Sequence, residues 1–317
     1  MTLITHAQTK RIEYKGQKPD RIKLLVTPLI KENCSTAATS TLAHFVHTFG
    51  QDMLARYGER IHKIAIDAAF TCPNRDGSKG RGGCSFCNNA SFSPYTNTYA
   101  DPEYLRSIYD QALVDKDVIG LSVGTRPDCV PCEVLDLLAG YRDKGYEVWL
   151  ELGLQSSFDH TLERVNRGHG YAEYHQAVLQ ARSRGLKVCT HLMIGLPGED
   201  RSHACTTLHR VLDHGVEGLK IHPLHVVRGT RLANEWRRGE YMPLEFADYI
   251  TTVCDLIEMT PPEVVFHRLT GTASANLLLA PLWCGKKWQV LNAIKAELEC
   301  RSTYQGIYAG CDHLCQH

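Results

Sequence analysis

Three cysteines stand close together in one short segment of the chain. The segment reads CPNRDGSKGRGGCSFC, with eleven residues between Cys72 and Cys84 and two between Cys84 and Cys87. Thiolates spaced C-x-x-C can bind one metal ion or cluster, and four glycines let the backbone wrap closely around it. Structural zinc sites and simple 4Fe–4S centres use four protein ligands, so three thiolates leave one position for a substrate or cofactor. The spacing therefore predicts a metal centre that takes part in catalysis.

Other cysteines leave alternatives open. Spacing alone fits an iron–sulfur cluster or a zinc knuckle whose fourth ligand comes from elsewhere, such as Cys129 or a histidine. Cys129 and Cys132 form a second C-x-x-C, which suits a redox pair or an auxiliary metal site, although plain thiols are the favoured interpretation. Cys311 and Cys315 also have ligand-like spacing, but we expect a frayed C-terminus there.

The elements that must position these residues follow a repeated pattern from about residue 41. Short β-rich apolar runs alternate with amphipathic stretches, which is typical of parallel βα units. The predicted strands are Lys63–Ala68, Val118–Val123, Glu147–Leu152, Lys187–Ile194, Gly218–Pro223 and Val264–Arg268. The predicted helices are Pro102–Val114, Cys132–Lys144, Asp159–Arg164, Tyr171–Arg184, Asp200–Asp213 and Leu244–Met259. Residues 1–40 show no sustained period and are predicted to be a loosely ordered extension, followed by a core over 41–229 and a smaller C-terminal segment over 230–317.

Four predicted strands end in polar or glycine-rich sequences. These are GTRPD at 124–128, GLQSS at 153–157, GLPGED at 195–200 and HPLH at 222–225. The carboxyl ends of parallel strands face one side of a barrel or sheet, which is where ligands bind. These sequences predict the functional face of the domain.

Composition excludes several classes of protein. The chain has 35 basic residues (Lys and Arg) and 35 acidic residues (Asp and Glu). Its net charge is therefore zero, and no global basic field favours nucleic-acid binding. Apolar residues make up 43% and no long uncharged apolar run occurs, which argues against a membrane-spanning or disordered chain. Thirteen cysteines are too few for a disulfide scaffold, and the opening residues show no secretory signal. We expect a cytoplasmic protein whose thiols are reduced.

The chain resembles the radical S-adenosylmethionine proteins, and most closely the YhcC family, whose core is related to that of the catalytic Elongator subunit. The resemblance covers roughly residues 44–290. It is carried by nine motifs in order: HTFGQDMLARYGERIHKIAIDAAFTCPNRDG, GRGGCSFCNNASF, GLSVGTRPDCVP, GYEVWLELGLQSS, VNRGHGY, HLMIGLPGE, GLKIHPLHVVRGT, TPPEVVFHRL and LLAPLWC.

This resemblance implies a cofactor pair and a reaction. Cys72, Cys84 and Cys87 would hold a 4Fe–4S cluster, and S-adenosylmethionine would chelate the fourth iron. Reductive cleavage would give a 5′-deoxyadenosyl radical that abstracts hydrogen from an unknown substrate, with the electron supplied by a reductant such as flavodoxin or ferredoxin. Analogy with the Elongator subunit makes RNA a candidate substrate. The zero net charge of the chain argues against RNA.

The resemblance also implies the residues that bind S-adenosylmethionine. They are Thr125, Arg126, Gln155, Arg167 and His191, together with Thr96 and Asn97, which correspond to the site of the methionyl amino group. Gln155 can donate to and accept from ribose hydroxyls, while Arg167 can pair with a carboxylate, although a helix-end salt bridge is the alternative for Arg167. His222 and His225 are candidates for the substrate pocket or for structural histidines.

One segment departs from the family pattern. Family members place a full helix and strand between the C-x-x-C and YTNTYA sequences, whereas only residues 88–94 separate them here. A parallel crossover needs a dozen or more residues, so we predict an α/β partial barrel that lacks one helix–strand unit. Either the barrel is a reduced one that uses Pro102–Val114 as its first helix, or the loss impairs cofactor binding.

We therefore expect a radical S-adenosylmethionine enzyme. The alternative from another class is a non-catalytic iron–sulfur or zinc-binding interaction protein, which the shortened segment favours. A third hypothesis is a thiol redox protein centred on Cys129 and Cys132.

Overall fold

A computed structural model describes residues 2–6, 41–65, 72–88 and 101–310 of the chain. Its strands are β1 (Thr2–His6), β2 (Ile61–Ala65), β3 (Val118–Thr125), β4 (Glu147–Gln155), β5 (Lys187–Ile194), β6 (Gly218–Pro223), β7 (Val226–Val227), β8 (Val265–Arg268) and β9 (Leu278–Ala280). Its α-helices are α1 (Phe49–Tyr57), α2 (Pro73–Asp76), α3 (Pro102–Ala112), α4 (Cys132–Asp143), α5 (Asp159–Arg164), α6 (Tyr171–Ser183), α7 (Arg201–Leu212), α8 (Arg231–Arg237), α9 (Phe246–Met259) and α10 (Lys287–Cys300).

The main sheet has the strand order β2-β1-β3-β4-β5-β6-β8. Strands β3, β4, β5, β6 and β8 are parallel to their neighbours in this series, with helices in the connections between them. Five parallel strands arranged in this way form a half-barrel, which confirms the predicted α/β partial barrel. Strands β7 and β9 form a separate antiparallel pair.

Most predicted elements lie where the sequence pattern placed them. Strands β5 and β6 have the predicted bounds, whereas β3 and β4 extend beyond them to Thr125 and Gln155. The extension arises because these polar strand ends still pair in the sheet, with Gly124 opposite Glu151 and Thr125 opposite Leu152. Of the first predicted strand, residues 66–68 lie outside the described ranges.

Strand β1 was not predicted, because residues 1–40 were expected to be loosely ordered. Its five residues pair antiparallel with β2 on one side and with β3 on the other. Backbone hydrogen bonds to two partners stabilise a short strand that local pattern alone does not reveal. As a result, β1 separates β2 from the five parallel strands.

The two faces of β4 belong to different cores. Val148, Leu150 and Leu152 belong to the large core formed with the outer helices. Trp149 lies on the other face and packs with Phe49 and Met53 of α1, which close the bottom of the half-barrel. Burial on both faces is typical of a parallel strand, and a Trp→Ala change at such a site costs roughly 3–5 kcal/mol.

The C-terminal part of the described chain continues the outer layer. Helices α9 and α10 pack against each other, and Arg301 Nη1 donates to Asp255 Oδ1 at 2.7 Å. Cys311 and Cys315 lie outside the described residues. Among the helices that the structure describes, none is long and apolar enough to cross a membrane.

Candidate metal centre at the carboxyl ends of the strands

The cysteine loop follows β2 and folds back on itself in tight turns. Cys72 directly precedes α2, and the backbone N–H of Cys87 donates to the carbonyl of Cys84 at 3.0 Å. Gly82 and Gly83 adopt left-handed φ angles of 85° and 74°, which side chains disfavour. The glycines predicted to let the loop wrap closely therefore do so at the turn just before Cys84.

The three thiols of the loop lie close enough to influence one another. Burial raises the pKa of Cys87, the neighbouring Cys84 and Cys72 raise it further, and the guanidinium of Arg75 opposes them. In residues 41–65, 72–88 and 101–310, no three His, Cys, Asp or Glu side chains are arranged to hold a single metal ion. A multi-iron cluster would not require the three thiolates to converge on one ion.

The loop is fastened to the turn that follows α5. Asn74 Nδ2 donates to the carbonyl of Asn166, and Asn166 Nδ2 donates to the carbonyl of Gly83 at 2.8 Å. The backbone N–H of Ser85 donates to the carbonyl of Val165 at 2.8 Å. These bonds hold the cysteines against the VNRGH sequence, which the sequence analysis singled out separately.

Cys84 is buried, and two side-chain N–H donors approach its sulfur. Arg167 Nη1 lies 3.6 Å from Cys84 Sγ and Asn74 Nδ2 lies 3.9 Å from it. Donors at such positions stabilise a thiolate and tune the electronic properties of the metal group it binds. Arg167 Nε is buried and has no hydrogen-bond partner among the described residues, so it has capacity for a ligand.

Three of the predicted cofactor-binding residues meet at Gly153 near the end of β4. A Cβ atom at Gly153 would lie 2.7 Å from Arg167 Nη2, 3.0 Å from Gln155 Nε2 and 3.6 Å from the carbonyl oxygen of Thr125. Gln155 has a φ of 81°, and the β4–β5 register shifts between Gly153 and Gln155. Left-handed backbone at a non-glycine residue is strained, and such residues concentrate at functional sites. Here the left-handed conformation ends the strand alternation that would otherwise place Glu151 and Gln155 on one face.

Arg126, by contrast, is already paired. Its Nε and Nη2 donate to Asp128 Oδ1 and Oδ2 at 2.9 and 3.0 Å, and only Nη1 lacks a partner within the described part. Its neighbour Cys129 is buried, and burial raises the pKa of that thiol to about 12. Cys132 is exposed at the start of α4, and both cysteines are free thiols.

His191 and His222 lie deeper, inside the half-barrel. His191 Nε2 is 3.5 Å from Glu151 Oε2, and the His191 and His222 rings are 5.9 Å apart. Burial lowers the pKa of His191 to about 4 and that of His222 well below its usual range, so both rings are neutral at pH 7. His225 is buried beside Pro223, with Nδ1 3.2 Å from the carbonyl of Pro223. Thr96 and Asn97 lie outside the described residues.

A charged cluster that was not predicted from the sequence lies beside His191. Glu151 Oε1 accepts a hydrogen bond from Lys63 Nζ at 2.9 Å, and Glu151 Oε2 accepts one from Lys220. Burial alone would raise the pKa of Glu151, but Lys220 and Lys63 hold it well below its usual range. Charged residues in the middle of strands that otherwise read as buried are the signal that could have revealed this cluster.

Comparison with known proteins places these features in a family. The model of the Radical SAM superfamily matches residues 94–211, and that of the Radical_SAM C-terminal domain matches residues 216–300. Protein YhcC of Escherichia coli K12 is 47% identical over 278 residues, which are 78% of this chain and 90% of that protein. YtqA of Bacillus subtilis is 37% identical over 295 residues, covering 82% of this chain and 91% of that protein.

A solved structure shows the same fold. The archaeal Methanocaldococcus infernus Elp3 with an N-terminal deletion superimposes with a TM-score of 0.50 and 21% sequence identity. The match covers 63% of this chain and 46% of that one, so it spans less than half of the Elp3 chain. This likeness concerns the half-barrel.

Proposed function

Because the chain belongs to the YhcC family of radical S-adenosylmethionine proteins, we propose that it is an enzyme that cleaves S-adenosylmethionine reductively and abstracts hydrogen from a substrate. Members of the superfamily bind a 4Fe–4S cluster and S-adenosylmethionine. One observation carries the proposal: the cysteine loop and the residues around Gly153 meet through Arg167, which contacts both Cys84 and Gly153.

The residues present fit such a cofactor pair. Cys72, Cys84 and Cys87 supply three thiolates, and the buried Arg167 Nε is an unspent donor next to them. Gly153 has no side chain to displace the polar groups that crowd it, since a Cβ atom there would lie 2.7 Å from Arg167 Nη2 and 3.0 Å from Gln155 Nε2. The site therefore has sulfur ligands on one side and hydrogen-bonding groups for a polar ligand on the other.

We assign the following roles to the chain's own residues. When bound and reduced, the cofactor pair supplies a 5′-deoxyadenosyl radical that abstracts a hydrogen atom. Arg167 would hold the carboxylate of S-adenosylmethionine, and Gln155 would orient the ribose through donor and acceptor bonds. Cys84 and Phe86 pack with Leu224 and Val226 in an apolar cluster that excludes water from one side of the loop.

The reaction also needs an external electron. We propose that a small redox protein such as flavodoxin or ferredoxin supplies it. Among the cysteines of the proposed site, Cys72 and Cys87 are partly exposed whereas Cys84 is buried, so an electron donor would approach from the side of Cys72 and Cys87.

The test compares two cysteine variants. The protein is reconstituted anaerobically with iron and sulfide, reduced in the presence of S-adenosylmethionine, and assayed for 5′-deoxyadenosine. We expect Cys84→Ala to lose cluster absorbance and product, and Cys132→Ala, which changes an exposed thiol outside the loop, to keep both. Wild-type protein that binds a cluster but yields no 5′-deoxyadenosine would contradict the enzyme and support the non-catalytic alternative.

A further inference from the structure

Polar side chains from successive strands form a layer inside the half-barrel. We call this set the polar layer; it comprises Lys63 of β2, Ser122 of β3, Glu151 of β4, His191 of β5, Lys220 of β6 and His267 of β8. Below it lies the apolar contact of Trp149 with Phe49 and Met53. Above it, Gly153 follows Glu151 by two residues on β4, a rise of about 7 Å. The polar layer is thus the floor beneath the proposed cofactor site.

On one side of the polar layer, all hydrogen-bonding capacity is used. Lys63 Nζ lies 2.9 Å from Glu151 Oε1, 3.3 Å from Ser122 Oγ and 2.9 Å from His267 Nδ1. An ammonium group has three N–H donors, so Lys63 has none left for a ligand. Lys63 therefore serves to fix Glu151 and His267.

On the other side, several N–H donors have no partner among the described residues. Lys220 is only 8% exposed, and in the described part of the chain its Nζ bonds to Glu151 alone, which leaves two N–H donors free. Arg268 is paired in register with Lys220, is exposed, and makes no hydrogen bond or ion pair with the residues described. His222 lies two residues beyond Lys220 on β6, and no hydrogen bond to its ring occurs within those residues.

Charge on this side is also unbalanced. Within the described residues, Lys220 shares its single contacting carboxylate, Glu151, with Lys63, and Arg268 adds positive charge close to His222. Glu147 further down β4 is paired with Arg56 and Lys187. The histidines add no charge at pH 7, because burial lowers the pKa of His191 to about 4. A buried ammonium with unused donors is costly unless an anion compensates it.

We propose that the polar layer binds an anionic group of the substrate, a carboxylate or a phosphate, between Lys220 and Arg268. His191 and His222 line the same space and supply further hydrogen bonds. This inference rests on the proposed function, because it makes the ligand of the polar layer the molecule that loses hydrogen to the cofactor pair. The substrate class is therefore a small organic acid or a phosphate ester whose acidic group points away from the cofactor.

The test measures anion binding directly. Calorimetric titrations of the reconstituted protein use inorganic phosphate and, separately, acetate, at constant ionic strength maintained with chloride. Saturating S-adenosylmethionine fills its own carboxylate site, and each titration is repeated without it. We expect saturable binding of at least one anion to wild type, and at least tenfold weaker binding to Lys220→Met and to Arg268→Gln.

Matched variants separate the site from general charge effects. Lys295→Met removes a lysine that pairs with Glu299 on the surface of α10 and should leave anion binding unchanged. Lys220→Arg keeps the charge and should bind within a few fold of wild type. Arg268 is exposed, so Arg268→Gln keeps the fold and tests the proposal even if Lys220→Met misfolds.

Each outcome supports or overturns the inference. Phosphate binding alone indicates a phosphate ester as substrate, and acetate binding alone indicates an organic acid. Absence of saturable binding by either anion, or equal loss in Lys295→Met, overturns the anion site. Binding of S-adenosylmethionine is recorded first, so a failure of the proposed function appears there, whereas a failure of the anion site appears in protein that still binds the cofactor.

Discussion

Arg167 Nη1 lies 3.6 Å from Cys84 Sγ, and Arg167 Nη2 donates to the carbonyl of Gly153 at 2.6 Å. The side chain thus joins the cysteine loop to the end of β4. One guanidinium therefore fixes the position of a proposed cluster ligand relative to the proposed binding site for S-adenosylmethionine. Because the fork is planar and rigid, a displacement at Gly153 is transmitted to Cys84.

Gly153→Ala tests this connection. The new Cβ atom would lie 2.7 Å from Arg167 Nη2 and 3.0 Å from Gln155 Nε2, so both side chains must move. Charge-assisted hydrogen bonds contribute about 1.5–3 kcal/mol, and we expect S-adenosylmethionine to bind roughly tenfold to a hundredfold more weakly. Calorimetric titration of the reconstituted protein measures this.

Gly124→Ala is the matched control on the neighbouring strand. Gly124 is paired with Glu151 in the sheet, and among the described residues a Cβ atom there would meet only Glu151 Oε2, at 3.8 Å. This variant should bind S-adenosylmethionine within about twofold of wild type. Equal weakening in both variants would show that substitution at any strand-end glycine disturbs the site, and that Arg167 has no particular role.

The features that sequence reasoning predicted well depend on local pattern. Short β-rich runs predicted the bounds of β5 and β6 correctly, even though His191, Lys220 and His222 interrupt their apolar residues. The GLQSS sequence at 153–157 was placed correctly at a strand end, since polar residues interrupt the apolar run there. The cysteine loop was visible because its three proposed ligands lie in one short segment of the sequence.

The features that it missed depend on contacts between distant residues. Strand β1 pairs with β2 and β3, which lie more than 50 residues further along the chain, and no local pattern specifies such partners. In the sequence, Lys63 and Lys220 cannot be distinguished from surface lysines, because only the folded sheet places both beside Glu151. The positive φ of Gln155 is likewise set by the register shift and not by the residue type.

Substitutions of Gln155 test backbone strain and the binding of S-adenosylmethionine separately. Its φ of 81° is strained for a residue with a Cβ atom, and such strain costs of order 1–3 kcal/mol. We expect Gln155→Gly to melt at a higher temperature than Gln155→Ala, because glycine adopts this φ without strain. Both variants should bind S-adenosylmethionine more weakly than wild type, since both lose the amide.

Thermal melting and calorimetric titration of the two variants together check this prediction. A Gly variant that melts no higher than the Ala variant would show that the backbone at position 155 is unstrained. Unchanged affinity for S-adenosylmethionine in both would remove Gln155 from the proposed binding site.

His267 makes stability depend on pH. Its ring is fully buried between Trp149 and Phe49, and Nδ1 accepts a hydrogen bond from Lys63 Nζ at 2.9 Å, which requires the neutral ring. Burial lowers the pKa of His267 to about 3, against 6.5 for an ordinary histidine. Between these values the unfolded chain binds more protons than the folded one, so the free energy of unfolding falls as pH falls.

The size of this effect can be measured with one substitution. Between pH 6 and pH 5 a single such histidine lowers the free energy of unfolding by about 1.2 kcal/mol. Denaturant unfolding at several pH values in this range gives the slope of the free energy of unfolding against pH. We expect this slope to be smaller by about that amount in His267→Gln than in wild type, although the variant is less stable overall. His160→Gln changes an exposed histidine of α5 and should keep the wild-type slope. If His267→Gln keeps it as well, then His267 is charged in the folded protein and cannot accept the hydrogen bond from Lys63.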